Sequence, residues 1–478
     1  MGIKVVIIGA GPGGYVAALR AAQMDAEVTL VEKEEVGGTC LHWGCIPTKV
    51  MKYAAEIMES IRGAAQWGIQ ISETTPTDLL DLQKKKGQVV DIQTKGILQL
   101  LKRYGIRLEY GYGIIEGSNR VAVRKKDGKA LELSWDRLIL APGSAPLEIA
   151  ALPIDGENIL TSSHALSLEE IPASLLIVGG GVIGCEFASI FQSLGSRVTI
   201  VEALSRLLPL PSVDEEISAT LLREMKKHKV TCLLETTVES VEPKGDKLRV
   251  GMREASGSQG KENQPKRRRE LEVDKVLVCV GRQPQGDTLG LASAGIVLDQ
   301  KGWITVDEYL QTNVAGIYAI GDALGPKARP MLAHVASHEG LVAAENALGK
   351  GKAMDYRAVP SAIFTMPEIG SVGWTETQAR QTGHHIRVDK VLFRNIGKSH
   401  VIGEIAGLVK LVSDQKTGQI MGVHIIGPHA TELLGEATLA VKSGCTAKDL
   451  AETIHAHPTL SEIMGEVALK AIGKPIHG

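Results

Sequence analysis

The chain contains two copies of one sequence pattern, and this duplication constrains the fold more than any other feature. The first copy runs from Val5 to Glu32 and the second from Leu175 to Glu202, 170 positions further along. Each copy reads as an apolar strand, a glycine-rich turn, an alanine-containing helix and a second apolar strand that ends in glutamate. This order predicts βαβ units, so we expect an α/β fold with doubly wound sheets.

The glycines of each turn have the spacing G-x-G-x-x-G. The first allows a tight turn, the second lets a pyrophosphate approach the backbone, and the third lets helix and strand pack closely. The glutamate 23 positions after the first glycine is placed to accept hydrogen bonds from a ribose hydroxyl. One such motif is a weak indication, but two in full context predict two dinucleotide sites. The matching residues are Gly9, Gly11, Gly14 and Glu32 in the first copy and Gly179, Gly181, Gly184 and Glu202 in the second.

The acid of the second copy also bears on which nicotinamide nucleotide binds. A carboxylate at Glu202 would repel a 2′-phosphate, which favours NAD over NADP. Arg206 lies close enough in sequence to contact such a phosphate. The commoner alternative is that this arginine lies on a solvated face.

Two of the six cysteines, Cys40 and Cys45, lie five positions apart in a segment that reads GGTCLHWGCIPTK. On an ideal helix their Cα atoms would be roughly 8.6 Å apart. A disulfide requires less than about 7 Å. We therefore expect Gly44 and Pro47 to interrupt the helix, which then continues through residues 50–59.

The position of this pair at a helix start predicts a lowered thiolate pKa and a redox function. Two other interpretations are a pair of buried thiols and half of a metal site. The metal interpretation is weak because no second cysteine pair exists and the spacing is not C-x₂-C. We therefore predict no metal site.

Length and charge exclude several classes of protein. At 478 residues the chain is too long for one core, and length alone suggests about three domains. A net charge of -2 gives no indication of a nucleic-acid partner or an anionic membrane surface. No long apolar run lacks charge or glycine, and no targeting segment precedes the first strand, so a cytoplasmic protein without a membrane span is expected.

With these motifs the sequence resembles the pyridine nucleotide–disulfide oxidoreductase family over nearly its whole length. The segment around Cys40 and Cys45 is similar to the family's active site, and residues 312–323 are similar to its second FAD motif. Residues 360–373 resemble the start of its dimerisation domain, and residues 455–462 resemble its C-terminal catalytic motif.

The resemblance implies FAD and NAD as cofactors and assigns residues to each. FAD would contact the first glycine turn and a set of residues elsewhere in the chain: Glu32, Lys49, Gly143, Asp322, Met331, Leu332, Ala333 and His334. NAD would contact the second glycine turn, Glu202 and Gly281. Lys49 and Glu186 would form an ion pair near the flavin and the nicotinamide.

A histidine and a glutamate near the C-terminus complete the implied catalytic set. Pro458 suits the first position of a helix, which would place His457 at its entrance and Glu462 in its early turns. A carboxylate beside an imidazole orients it and raises its basicity. From the residues alone His455 is an equal candidate, and the resemblance selects His457 as the base and Glu462 as its orienting partner.

The family's histidine reaches the disulfide of the other subunit, so the resemblance implies a homodimer. It also implies that the chain oxidises protein-bound dihydrolipoamide through Cys40 and Cys45 and reduces NAD⁺. The partner would be a lipoyl-carrying acyltransferase of a 2-oxo acid dehydrogenase complex, or the H-protein of glycine cleavage. The sequence does not say which complex is served.

Other functions remain as alternatives. Glutathione- and trypanothione-type reductases would need arginines for NADPH where this chain has Glu202. A mercuric reductase usually ends in a cysteine pair, and this chain ends GKPIHG. A non-catalytic flavoprotein scaffold would not need Cys40, Cys45, His457 and Glu462.

Three departures from the family pattern stand out. Residues 141–143 read APG where the family usually has ATG, and His42-Trp43 replaces the commoner Asn-Val between the cysteines. Residues 251–270 are polar and charged, and we expect a solvated loop there.

The motif positions and the resemblance predict four domains. These are an FAD-binding domain (1–148), an NAD-binding domain (149–277), a central domain that completes the FAD site (278–349) and an interface domain (350–478). The expected fold class is α/β, with two Rossmann-like domains and an α+β C-terminal dimerisation domain.

Overall fold

The computed structural model describes residues 2–71, 77–255, 268–286, 289–327 and 329–478. The contacts within the chain divide it into two units, each assembled from distant stretches of sequence. The first unit consists of Met1–Val50, Leu80–Leu147 and Gly281–Tyr356. The second unit consists of Met51–Leu79, Glu148–Val280 and Arg357–Gly478.

The N-terminal third carries the first βαβ pattern and the cysteine segment. Its elements are β1 (Lys4–Ile8), α1 (Pro12–Ala22), β2 (Glu27–Glu32), α2 (Gly38–His42), α3 (Cys45–Gly63), α4 (Leu79–Arg103), β3 (Arg107–Tyr110), β4 (Tyr112–Glu116), β5 (Arg120–Arg124), β6 (Ala130–Ser134), β7 (Arg137–Leu140) and β8 (Ser144–Pro146).

The middle of the chain carries the second pattern. Its elements are β9 (Ile159–Leu160), α5 (Ser162–Ala165), β10 (Ser174–Val178), α6 (Val182–Leu194), β11 (Arg197–Val201), α7 (Glu215–Lys227), β12 (Thr231–Leu233), β13 (Thr236–Lys244), β14 (Lys247–Glu254), β15 (Arg268–Val273) and β16 (Lys275–Val278).

The remaining chain first returns to the first unit and then builds a separate sheet in the second. Its elements are β17 (Arg282–Pro284), β18 (Ile317–Ala319), α8 (Ala333–Ala347), β19 (Ser361–Ile363), β20 (Glu368–Gly373), α9 (Glu376–Gln381), β21 (Ile386–Leu392), α10 (Gly397–Ile402), β22 (Leu408–Asp414), β23 (Ile420–Gly427), α11 (Ala430–Ser443), α12 (Ala447–Ala451) and α13 (Glu462–Ala471).

The first unit is built on a five-stranded parallel sheet with the order β18-β7-β1-β2-β3. Its central strand β1 reads KVVII, and four of these five residues are buried. Strands buried on both faces are typical of parallel sheets covered by helices. An antiparallel sheet of β4, β5 and β6 interrupts the chain between β3 and β7.

The second unit repeats this plan. Its parallel sheet has the order β12-β11-β10-β16-β9, and an antiparallel sheet of β13, β14 and β15 lies in the chain between β12 and β16. The duplication therefore extends well beyond the glycine turns, to every strand from β1 to β7 and from β10 to β16. The outermost strand differs, because β18 joins the first sheet from late in the sequence whereas β9 precedes the second copy.

The C-terminal part of the second unit contains a five-stranded antiparallel sheet, β19-β20-β23-β22-β21, with α11 and α13 among the elements packed with it. Together with the two parallel sheets it confirms the expected fold class. Among the residues that the structure describes, no helix is both long and apolar enough to cross a membrane.

The loop expected at residues 251–270 needs correction at both ends. Strand β14 continues to Glu254, and β15 begins at Arg268 and pairs with it. Within the predicted loop, Met252 is buried in the apolar cluster of β14 and β15 while charged residues follow it, so charge on one face of a strand was mistaken for a loop. Residues 256–267 lie outside the described part of the chain.

Candidate functional site

The first glycine turn has the backbone that its spacing predicts. Gly9 has φ of +101°, and a Cβ there would lie 2.1 Å from the carbonyl oxygen of Ala141. A Cβ at Gly14 would lie 1.8 Å from the carbonyl oxygen of Gly9. Side chains are therefore excluded at these two positions by the protein itself, whereas a Cβ at Gly11 would have open space around it.

The second glycine turn reproduces these distances closely. Gly179 has φ of +108°, and its Cβ would lie 2.4 Å from the carbonyl oxygen of Cys279. A Cβ at Gly184 would lie 2.0 Å from the carbonyl oxygen of Gly179, and Gly181 again faces open space. The two turns thus offer the same cradle, bounded by backbone and open at the middle glycine.

Each cradle lies at the start of a helix whose N-terminus lacks a side-chain cap. Gly11 precedes α1 and Gly181 precedes α6, and neither has a side chain to bond the first N–H groups. Uncapped N–H groups and the positive end of the helix dipole favour an anion at that point. The residues present therefore fit the pyrophosphate of a dinucleotide in both copies.

The glutamates that end β2 and β11 hold their glycine turns in place. Glu32 accepts hydrogen bonds from the N–H groups of Ala10 (2.6 Å) and Glu34 (2.8 Å). Glu202 accepts the equivalent bonds from Gly180 (2.6 Å) and Leu204 (2.8 Å). A carboxylate has about four acceptor positions, so each glutamate retains capacity for a ribose hydroxyl while it fixes the turn.

Both of these carboxylates are buried. Burial raises the pKa of Glu32, although the hydrogen bond from Ala10 and its neighbours acts in the opposite direction. Sequence reasoning assigned these residues only to ribose and missed their backbone role.

Arg206 is engaged within the loop that follows β11. Its guanidinium donates to the carbonyl oxygens of Val213 (3.1 Å) and Leu210 (3.0 Å). The N–H of Leu208 in turn donates to the carbonyl of Gly180 at 2.7 Å. Arg206 thus stabilises the loop beside the second glycine turn.

The helix carrying the cysteines is interrupted at Gly44 as expected, but Pro47 does not contribute to the break. Helix α2 ends at His42 and α3 begins at Cys45, so the interruption falls at Trp43 and Gly44. Pro47 lies inside the first turn of α3, where its missing N–H removes no helical bond. His42 closes the preceding loop through a 2.9 Å contact between its Nε2 and the carbonyl oxygen of Val36.

Cys40 and Cys45 are thiols that are not joined by a disulfide in this structure, with Cys45 exposed and Cys40 partly buried. The expected lowering of the thiolate pKa is wrong for Cys40. Its hydrogen bond with Cys45, and then burial, raise the pKa of Cys40 well above its usual range, and the charge of Lys49 only partly opposes this. In a close dithiol one sulfur keeps its proton because two adjacent thiolates would repel each other.

Asp322 lies at the end of the first sheet, in a 3₁₀ turn that follows β18. Its Oδ2 accepts a hydrogen bond from the Ser144 hydroxyl at 2.7 Å and lies 3.6 Å from Arg282 Nε. Arg282 also donates to the hydroxyl and carbonyl oxygens of Ser144, both at 2.6 Å.

Burial lowers the pKa of Arg282, and the charges of Asp322 and Cys45 oppose that effect. The thiol pair and this cluster therefore share one electrostatic environment. Sequence reasoning missed Ser144 and Arg282. The signal was present, since each directly follows a predicted glycine, Gly143 and Gly281, and both glycines have positive φ.

The remaining residues predicted to contact FAD lie at the start of α8 in the first unit. This helix, like α1 and α6, has no side-chain cap at its N-terminus. Met331 and Leu332 directly precede α8, and Ala333 and His334 form its first positions. Gly281, predicted for NAD, also belongs to the first unit. Its carbonyl accepts a hydrogen bond from the N–H of Leu147.

Lys49 and Glu186, predicted to form an ion pair, are placed in different units. Lys49 belongs to the first unit, in the second turn of α3, and its charge acts on Cys40. Glu186 is buried in α6 of the second unit, where its Oε1 accepts a hydrogen bond from the N–H of Phe364 at 3.0 Å.

The two C-terminal histidines have different environments. The side chain of His455 is 10% exposed, and its Nε2 lies 3.0 Å from Glu436. The side chain of His457 is 77% exposed, and its Nδ1 lies 2.9 Å from Glu462 Oε1. A bond at Nδ1 fixes the ring and leaves Nε2 facing outward, which is the arrangement required of a base that acts on a group outside its own chain.

The helix after His457 begins later than Pro458. Helix α13 starts at Glu462, and Leu460 and Ser461 form a turn before it. The Thr459 hydroxyl donates to the carbonyl oxygen of Ala456 at 2.6 Å. The backbone N–H of Thr459 donates to Glu462 Oε2 at 2.9 Å. These side-chain bonds compete with a helix at this point, and they allow one carboxylate to bond both Thr459 and His457. The bond to His457 lowers the pKa of Glu462.

Together the fold and site define a redox protein with two dinucleotide cradles, a dithiol beside the first and a carboxylate-oriented histidine in its C-terminal region. Residues 3–340 match the family model of the pyridine nucleotide-disulphide oxidoreductases, and residues 359–468 match the dimerisation domain of that family. The chain therefore belongs to the pyridine nucleotide-disulphide oxidoreductase family.

The chain is similar over its full length to curated relatives named dihydrolipoyl dehydrogenase. The protein of Chlamydia muridarum is 41% identical, and the match covers 99% of this chain and 97% of that one. The protein of Bacillus subtilis is 40% identical, with coverage of 99% and 98%.

Two solved structures share the fold. The crystal structure of LpdA from Mycobacterium tuberculosis is 28% identical with a TM-score of 0.89, and the match covers 98% of this chain and 99% of that one. The HOCl-induced flavoprotein disulfide reductase RclA from Escherichia coli is 26% identical with a TM-score of 0.83, with coverage of 97% and 99%.

These matches confirm the predicted family and the class of enzyme. The protein is an oxidoreductase that acts on sulfur groups and uses FAD and NAD. Its dimerisation domain makes it a homodimer.

Proposed function

We propose that the protein oxidises dihydrolipoamide, carried on a partner protein, to lipoamide and reduces NAD⁺ to NADH. Identity of about 40% over nearly the full length to relatives named dihydrolipoyl dehydrogenase supports this substrate. The observation that carries the proposal is the exposed His457–Glu462 pair in a chain that also has a dithiol beside its first dinucleotide cradle.

We assign the cofactors to the residues predicted for them. FAD would be held by the first glycine turn with Glu32, Lys49, Gly143, Asp322 and residues 331–334, and NAD by the second turn with Glu202 and Gly281. The four domains would be 1–148 for FAD, 149–277 for NAD, 278–349 for completion of the FAD site and 350–478 for the interface. The pairing of β18 with β7 supports the role of the central domain.

The oxidative half of the proposed mechanism is a thiol–disulfide exchange. His457 of the partner subunit takes a proton from one thiol of dihydrolipoamide. The resulting thiolate attacks Cys40 in the oxidised enzyme, so a bond forms between substrate sulfur and Cys40 while the Cys40–Cys45 bond breaks. The second substrate thiol then displaces Cys40, which leaves lipoamide and an enzyme dithiol holding two electrons.

The leaving thiolate of Cys45 would be stabilised by cations of its own unit. Arg282 interacts electrostatically with Cys45, and Lys49 with Cys40. Opposite charges near a sulfur favour its ionised form. Bound FAD supplies the two-electron carrier that links this dithiol to NAD⁺.

The partner would be a lipoyl-carrying acyltransferase of a 2-oxo acid dehydrogenase complex, or the H-protein of glycine cleavage, and the proposed location is the cytoplasm. The choice of partner follows from the substrate, because the lipoyl group that the enzyme oxidises is covalently held by those proteins.

The proposal is tested by anaerobic turnover of dihydrolipoamide with NAD⁺ in wild type and in His457→Gln. Loss of a general base is expected to lower kcat by about 10²-fold or more. His477→Gln is a matched control, because His477 is also exposed and lies 2.8 Å from a glutamate, Glu466. We expect this control to keep wild-type kcat.

No NADH formation by the wild-type holoenzyme would reject dihydrolipoamide as the substrate. Reduction of glutathione disulfide or Cu(II) by NADH in the same preparation would then favour another disulphide reductase. Equal effects of His457→Gln and His477→Gln would reject the assignment of His457 as the base.

A further inference from the structure

Behind the turn that carries Asp322 lies a buried carboxylate that the proposed mechanism does not use. Glu339 is in the second turn of α8 and is 1% exposed. Its Oε2 accepts a hydrogen bond from the N–H of Gly321 at 2.6 Å, and its Oε1 accepts one from the hydroxyl of Tyr356 at 2.6 Å. Both bonds are short, as expected when the acceptor is ionised.

The bond to Gly321 acts directly on the backbone next to Asp322. Gly321 has φ of +70°, a conformation that is costly for other residues, and Asp322 is the next residue in the chain. The carboxylate of Asp322 is held from its other side by Ser144 and Arg282. The turn is therefore clamped at its backbone by Glu339 and at its side chain by Ser144 and Arg282.

A buried carboxylate is expensive unless its charge is compensated. Burial raises the pKa of Glu339, while the bonds from Tyr356 and Gly321 and the charge of Arg329 act to lower it. Arg329 lies over the ring of Tyr356, with its guanidinium carbon 5.5 Å from the ring centroid. Glu339 thus has a dedicated set of partners within the first unit.

We propose that Glu339 is a positioning residue for FAD, which fixes the Gly321–Asp322 turn so that the Asp322 carboxylate is set for the cofactor before it binds. Tyr356 orients Glu339 through its hydroxyl. The inference rests on the proposed role of Asp322 toward FAD and is independent of the substrate. Supporting residues of this kind typically contribute about 10- to 100-fold to the affinity or activity of the site they orient.

The test is the Kd for FAD of the apoprotein, measured by reconstitution without any substrate. Glu339→Leu removes both acceptors and is expected to raise Kd by about tenfold or more. Glu339→Gln keeps an acceptor for Gly321 and should restore affinity to within about threefold. Glu345→Leu is the control, because Glu345 lies on the same helix and bonds Arg20 instead of the turn. Its Kd should equal that of wild type.

Thermal unfolding of the apoproteins separates positioning from folding. We expect Glu339→Leu and Glu345→Leu to have similar midpoints while only the former binds FAD weakly. If Glu339→Leu fails to fold, Tyr356→Phe replaces it, with an expected rise in Kd of a few fold at an unchanged midpoint.

Wild-type Kd in Glu339→Leu, or in Tyr356→Phe where that variant replaces it, would overturn the proposal. Wild-type affinity for FAD in Asp322→Asn would also overturn the proposal, because the Gly321–Asp322 turn would then not be a cofactor contact. Failure of lipoamide oxidation would leave all of these Kd values unaffected and would reject only the proposed substrate.

Discussion

The two glycine turns have nearly the same backbone but different surroundings. Their first glycines have φ of +101° and +108°, and their closing glutamates accept the same pair of backbone bonds at the same lengths. Around the first turn, α8 packs directly on α1, so that a Cβ at Gly340 would lie 2.4 Å from the carbonyl oxygen of Gly13. Beside the second turn lies the loop of residues 203–213, which is held by hydrogen bonds.

The difference teaches that backbone geometry sets the class of ligand while the surroundings set its role. A close helix contact and the hydrogen-bonded Ser144–Arg282–Asp322 cluster belong to the unit of the first cradle, which suits a cofactor that stays bound. A short loop beside the second cradle suits a ligand that enters and leaves in each turnover.

The contacts that hold the structure beside the two glycine turns also differ in chemistry. The closest approach of α1 and α8 is made by glycine and alanine backbone, which does not titrate, and the Arg20–Glu345 ion pair that also joins them is partly exposed. The loop beside the second turn ends at Asp214, which is 3% exposed and binds the buried Nζ of Lys410 at 2.9 Å. We therefore expect only the second copy to depend on a fully buried ion pair.

The largest expected effect comes from the dithiol that distinguishes the first copy. Cys45→Ser should lower dihydrolipoamide-dependent NADH formation by about 10³-fold or more, since no disulfide can form. The same variant should keep its FAD and its NADH-dependent reduction of an artificial dye, because neither requires the cysteine pair. Anaerobic steady-state kinetics with both acceptors measure this.

Substantial turnover of dihydrolipoamide by Cys45→Ser would show that the sulfurs are not on the electron path. Loss of dye reduction together with lipoamide oxidation would show that the cysteines serve the fold of the first cradle, and the contrast between the copies would lose its chemical basis.

A matched pair of glutamine variants is expected to separate the two ligands. Glu32→Gln should weaken FAD binding by about tenfold, because a hydrogen bond to a charged acceptor contributes about 1.5–3 kcal/mol. Glu202→Gln should raise the KM for NAD⁺ by a similar factor and narrow the preference over NADP⁺, since the carboxylate no longer repels a 2′-phosphate. FAD content and KM for both nucleotides check this. An equal loss of FAD in both variants would contradict the assignment of the copies.

The smallest effect concerns the ion pair beside the second copy. Burial acts to raise the pKa of Asp214, but the bond and charge of Lys410 outweigh it, so the pKa is lowered. Its stabilisation is complete above the unfolded pKa of about 3.9 and is lost as pH falls through the lower folded value. Asp214→Asn should cost about 1 kcal/mol of unfolding free energy at pH 7, because Lys410 keeps its bond to Glu376. The difference from wild type should shrink below about pH 4.

Urea unfolding between pH 3 and pH 7 measures this difference. Adding Lys410→Met to Asp214→Asn also removes the bond of Lys410 to Glu376. Comparison of the single and double variants therefore gives the share of the loss that belongs to the Asp214–Lys410 pair. A loss of stability that is independent of pH, or that appears together with loss of FAD, would mean that Asp214 does not act as a separate anchor.

The sequence was sufficient for the features that repeat locally. The glycine spacing, the closing glutamates and the cysteine segment each lie within a few turns of chain, and the structure places them as expected. The wider duplication of β4–β6 in β13–β15 was not visible, because short antiparallel strands share an alternation of residues and no motif.

Contacts between distant residues account for most of what the sequence missed. Ser144 and Asp322 are 178 positions apart, and Ser144 and Arg282 are 138 apart. No local sequence pattern predicts hydrogen-bond partners that are so far apart in the chain. The start of α13 and the limits of the loop at 251–270 were wrong for another reason, since side-chain bonds and strand pairing outweighed the local preference.

The most direct test of the account is a matched pair of alanine variants at the middle glycines. Gly11 and Gly181 have φ of −66° and −75°, and a Cβ at either would meet no described atom within 4 Å. Alanine should therefore leave the protein folded and obstruct only the ligand. We predict that Gly11→Ala is purified with little FAD, while Gly181→Ala keeps FAD and needs about tenfold more NAD⁺. Identical losses of both ligands in the two variants, or wild-type binding of both, would contradict the account.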